Sequence, residues 1–252
     1  MIILKLSYFE LLSPEPIYIE NAGGIISPAL KQISAIGINT YNYYCSILLM
    51  DLKSYFGMIG QSEQYELLSE EEKTKISMFD LLTLNEEGRV LLQNILNFFI
   101  KEEVVYSAQN HCFYVQKGDA IIGSITKENY PQICDLIFQR NCIKANVKED
   151  FSKAKNKKAL EIMKKLQKGR VEKAKQTKAD RDMELGNIIS AVANKHPSLN
   201  MLNIWDLTVY QLWDCFSRLS NNTIYDIQSM SVAVWGNKDN YFDISSWFKK
   251  SC

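Results

Sequence analysis

His111 and Cys112 are the adjacent pair in this 252-residue sequence that could share chemistry, as a thiol–imidazole couple or as two ligands of one metal. A zinc site needs about four well-placed donors. The other histidine, His196, and the other cysteines (Cys45, Cys134, Cys142, Cys215 and Cys252) show no paired spacing. Neighbours in a strand point to opposite faces, so we read His111 as a hairpin residue beside a core cysteine. Glu70-Glu71-Glu72 could form a carboxylate cluster, but after Ser69 they have the order of a helix-capping box, where acidic residues favour the positive end of the helix dipole. Asn21-Ala22-Gly23-Gly24 lacks the spacing and the Lys-Ser/Thr of a phosphate loop and reads as a turn. Asp206 and Asp214, eight apart, would lie about 12 Å apart on a helix, too far for joint acid–base work. Asp214 instead suits an ion pair with Arg218 at i+4. No catalytic residue, metal site or cofactor is expected, and the chain is not read as an enzyme.

The charge is uneven although its total is zero. From 148 to 178 there are twelve Lys or Arg against four Asp or Glu, a net of +8 that leaves −8 for the remainder. Lys157, Lys158, Lys164, Lys165, Lys168 and Arg170 are the candidates for electrostatic contact, either with phosphates of a nucleic acid or with an acidic protein partner. The alternative is a solvated helix or tether, favoured by the excess of Lys over Arg and by the lack of interleaved aromatics that could stack on bases. Composition, with 46% hydrophobic and 23% charged residues, is that of a globular protein. The apolar start, MIILKLSYFELL, is interrupted by Lys5 and Glu10 and has no small-residue cleavage site after it, so no signal peptide is expected. No apolar run approaches the roughly 20 residues of a membrane span. Scattered cysteines suggest reduced thiols.

The elements that must position these residues follow from periodicity and punctuation. Residues 2–20 read as extended, and 17–26 as a hairpin turned at Asn21–Gly24. Ser27-Pro28 opens a helix to Ile36. Further helices are expected at 40–55, from Glu70 to near Leu84, and from Glu86 to Lys101 on Val90, Leu91, Ile95, Leu96 and Phe99. Gly88 weakens the last of these. Val104–Tyr106, Cys112–Val115 and Ala120–Ile122 form a three-stranded meander, expected to join the hairpin in one small sheet. A helix capped at Thr126 runs through about Cys142. The fold class is α+β and mainly helical: a small antiparallel sheet with helices over 1–146, a basic connector over 147–181, and a helical C-terminal domain over 182–252.

In that last domain we expect helices at 183–194, 203–219, 223–235 and 243–250. Trp205, Val209, Leu212, Trp213 and Phe216 fall at i, i+4, i+7, i+8 and i+11, one stripe of a helix. Trp247 and Phe248 read either as core of the last helix or as an exposed anchor. The pattern W-D-L-T-x-Y-Q-L-W-D-x-F-x-R-L over Trp205–Leu219, with Asp226-Ile227 and the closing Ser246-Trp247-Phe248-Lys249-Lys250, resembles tail-assembly-chaperone-like proteins of long-tailed bacteriophages of Gram-positive bacteria. The resemblance implies a cytoplasmic protein of the infected host, or a virion component, that binds the tape-measure protein or tail-tube subunits. Trp205, Val209, Trp213, Phe216, Trp247 and Phe248 would then be the partner-binding residues. A nucleic-acid-associated accessory protein of the phage particle is the alternative, and no membrane partner is expected.

Overall fold

Ser7-Tyr8-Phe9-Glu10 holds a signal that the extended reading of 2–20 passes over. The Ser7 hydroxyl accepts from the Glu10 N–H while the Glu10 carboxylate accepts from the Ser7 N–H at 2.7 Å, and this reciprocal cap opens helix α1 (Tyr8–Leu12). The computed structural model describes residues 4–143, 183–237 and 242–249. The basic connector over 147–181, with Lys157, Lys158, Lys164, Lys165, Lys168 and Arg170, lies outside the described residues. The described residues are mainly helical with two small antiparallel sheets, an α+β fold. They group into two compact units, one of 4–143 with Asp206–Gln211, the other of 183–205 with 212–237 and 242–249.

In the first unit, β1 (Ile17–Ile19) and β2 (Gly23–Ile25) form the hairpin, with Asn21 and Gly23 at positive φ. Gly23 is obligatory for a second reason: a Cβ there would sit 2.8 Å from a carboxylate oxygen of Glu102, the same oxygen that accepts from the Gly24 N–H. Helix α2 (Leu30–Ile36) starts at Ala29, not at Ser27, because the Ser27 hydroxyl is turned inward to donate to the Arg140 carbonyl. The expected helix at 40–55 is two, α3 (Ile38–Leu48) and α4 (Leu52–Met58), since the Asp51 side chain caps a new start on the Ser54 N–H. α5 (Ser62–Leu67) follows. The helix opened by Ser69 is also two, α6 (Glu70–Lys75) and α7 (Met78–Leu82), broken where Ile76 turns extended. The Ser69–Glu72 capping box is present as read, with the Glu72 carboxyl held below the ordinary range by the Ser69 N–H and hydroxyl.

Helix α8 (Glu86–Phe99) buries Leu92, Ile95, Leu96 and Phe99 completely, at i, i+3, i+4 and i+7. Val90, expected inside, is exposed. The meander is β3 (Glu103–Ser107), β4 (Cys112–Lys117) and β5 (Ala120–Ile125), with a bulge between Val115 and Gln116. It does not share a sheet with the hairpin. The two are tied instead through the end of α8, where Ile25 bridges Ile100 and the Lys101 N–H donates to the Gly24 carbonyl, and through Ser124 N–H to the Asn21 carbonyl. Helix α9 (Tyr130–Arg140), with Pro131 in its first turn, closes the core. Phe79, Phe113 and Tyr130 meet in its middle at ring separations of 5.9 and 5.5 Å.

Arg140 is fully buried at the end of α9. One Nη donates to the Ser13 carbonyl at 2.9 Å, while Nε and the other Nη have no hydrogen-bond partner among the described residues. Desolvation pushes its pKa down. A buried cation without a counter-ion costs stability that an isosteric apolar chain does not. Arg140→Met is therefore expected to leave thermal stability unchanged or raise it by about 1 kcal/mol or more, read as an upward shift of Tm. Arg140→Ala, which leaves a void, should lower it.

In the second unit, helix α10 (Leu185–Lys195) buries Ile188, Ile189, Val192 and Ala193. His196 ends it, its Nδ1 accepting from the Ser198 and Leu199 N–H groups. A 3-10 turn (Ile204–Asp206) precedes helix α11 (Val209–Trp235).

Candidate functional site

The expected helix from 203 to 219 does not begin at 203. Trp205 stands on the 3-10 turn, its indole N–H donating to the Met201 carbonyl at 2.9 Å. The start of α11 is set by Thr208 and Gln211: the Thr208 hydroxyl accepts from the Gln211 N–H at 3.2 Å, and the Gln211 side-chain oxygen accepts from the Thr208 N–H at 2.9 Å. Thr208→Ala should cost about 1 kcal/mol, with Thr208→Ser retaining most of it, measured by denaturant titration.

Nor does α11 stop at 219. It continues unbroken to Trp235, so the two helices expected at 203–219 and 223–235 are one from Val209 onward. Val209 is buried, while Trp213 and Phe216 are half-buried and meet edge to face at 6.1 Å. Asp214 and Arg218 pair at 3.4 Å as the i+4 spacing implies. Asp206 pairs instead with Lys31 at 2.8 Å, an exposed bridge of small value.

Within the second unit, α10 and α11 leave an open groove of about 290 Å³. Ala191, Val192, Phe216, Leu219 and Ile224 make its apolar lining. Lys195 stands at its edge, donating to the Thr223 hydroxyl at 2.5 Å. Along the same helix beyond the groove, Ile227, Met230 and Val234 are 59%, 62% and 69% exposed. With Phe216, Leu219 and Thr223 they recur at steps of three and four, one continuous stripe that is half groove wall and half bare ridge. That stripe was legible as spacing in the sequence, and placing a helix boundary between 219 and 223 concealed it. The ridge is poor in charge, Asp226 being the one Asp, Glu, Lys or Arg between Leu219 and Trp235.

The described residues 242–249 return toward α11: the Asn237 side chain bonds both backbone groups of Phe242, whose ring lies 5.2 Å from that of Tyr225. Ser246–Phe248 is a 3-10 turn and not the full helix expected at 243–250. The Lys249 ammonium and Ser245 hold the Asp243 carboxyl far below its ordinary range. Trp247 and Phe248 pack on each other at 5.3 Å and are both more than half exposed, as are Trp235 and Ile244. They are surface side chains, not core.

His111 and Cys112 do not converge. His111 sits exposed at positive φ in the β3–β4 turn, its Nδ1 3.3 Å from the Tyr106 hydroxyl, while Cys112 is buried. Burial pushes the Cys45 thiol up to about 11 and Cys134 up to about 12. Neither carries an appreciable thiolate in mildly alkaline buffer. Alkylation of the native protein there should label exposed Cys142 and spare Cys45 and Cys134, as peptide mass mapping would show.

The α10–α11 groove, the α11 ridge beyond it and the aromatic end together place exposed apolar side chains on the second unit. Residues 173–251 match the model of a family described as the YomV second domain, which points to a phage-related family. No match was found among curated proteins or solved structures. Among the described residues, no helix is long and apolar enough to cross a membrane.

Proposed function

We propose that this chain is a non-enzymatic phage tail-morphogenesis protein. It binds the helical tape-measure protein or tail-tube subunits and covers their apolar surface before polymerisation. The observation that carries this reading is the α10–α11 groove continuing into the bare ridge of Ile227, Met230 and Val234. An amphipathic partner helix laid in such a groove is held through side chains at i, i+3, i+4 and i+7. Trp213 and Phe216 form one end of this surface; Trp247 and Phe248 offer anchors of the type that dominate interface energetics. The YomV second-domain match over the same residues supports a phage setting. Co-expression with the tape-measure protein and pull-down at moderate salt tests the proposal: a complex is expected, and its absence counts against the reading. A second reading rests on the net +8 over 148–178, which would suit nucleic acid. It requires a salt-sensitive shift of labelled DNA that disappears when Lys157, Lys158, Lys164 and Lys165 become glutamine.

A further inference from the structure

We draw no further inference here: the strongest candidate, the exposed apolar ridge of Ile227, Met230 and Val234 on α11, carries none, because nothing in the structure shows what covers it.

Discussion

Phe113→Ala is expected to lower the stability of the protein by about 3–5 kcal/mol, the range for removing a fully buried phenylalanine ring. Phe113 is completely buried on β4, with its ring 5.9 Å from Phe79 and 4.9 Å from Tyr106, both near edge-to-face. Its strand neighbours are held on both sides, Tyr106 across one ladder and Ile125 across the other, so the backbone cannot collapse into the void. The cost therefore includes the lost transfer energy, the ring contacts and the cavity. Phe113→Leu, which keeps most of the volume, should cost clearly less. Guanidinium titration followed by circular dichroism separates the two, and an alanine variant with an unchanged midpoint would show that the aromatic cluster is not the centre of the core.

Gly88→Ala is expected to destabilise, although helix propensity alone says the reverse. In the interior of an exposed helix, alanine is better than glycine by about 1 kcal/mol. Gly88 lies in the first turn of α8, where its N–H donates to the Asn85 cap at 2.7 Å. A Cβ at this position would stand 2.1 Å from the Leu82 carbonyl oxygen, which is backbone and cannot rotate away. The preceding turn must then move, at a cost of about 1–3 kcal/mol, typical of overpacking. Part of that strain falls on Arg89, whose side chain donates to the Thr83 and Leu84 carbonyls and fastens the same turn. The same denaturant titration decides the sign: a higher midpoint in Gly88→Ala would mean that propensity outweighs the contact.

Local order in the residues was enough for much of the fold. The Ser69–Glu72 cap, the three-stranded meander, the Asn21–Gly24 turn and the Asp214–Arg218 pair are short-range features. Their causes are hydrogen bonds and turn angles within a few residues, so the sequence states them directly. Errors arose where a second local signal competed with periodicity. Asp51 restarted a helix that the apolar spacing carried through, and Ser7 and Thr208 opened helices where strand or earlier helix was read. These caps were visible too, as S-x-x-E and T-x-x-Q, and outweighed periodicity because they satisfy backbone donors that a helix start leaves free.

The α+β class, its helical predominance, the capped helix starts and the 3-4 spacing on the last long helix were determined by the amino-acid order alone, because each depends on neighbours along the chain. Only the tertiary structure decided that Gly88 faces the Leu82 carbonyl, that Arg140 is buried with a single carbonyl partner, and that hairpin and meander are two sheets joined through Ile100 and Lys101. It also decided which half of the α11 stripe walls the groove beside α10 and which half stands clear of it. Spacing says that side chains share a face, but whether that face is occupied depends on atoms far away in sequence.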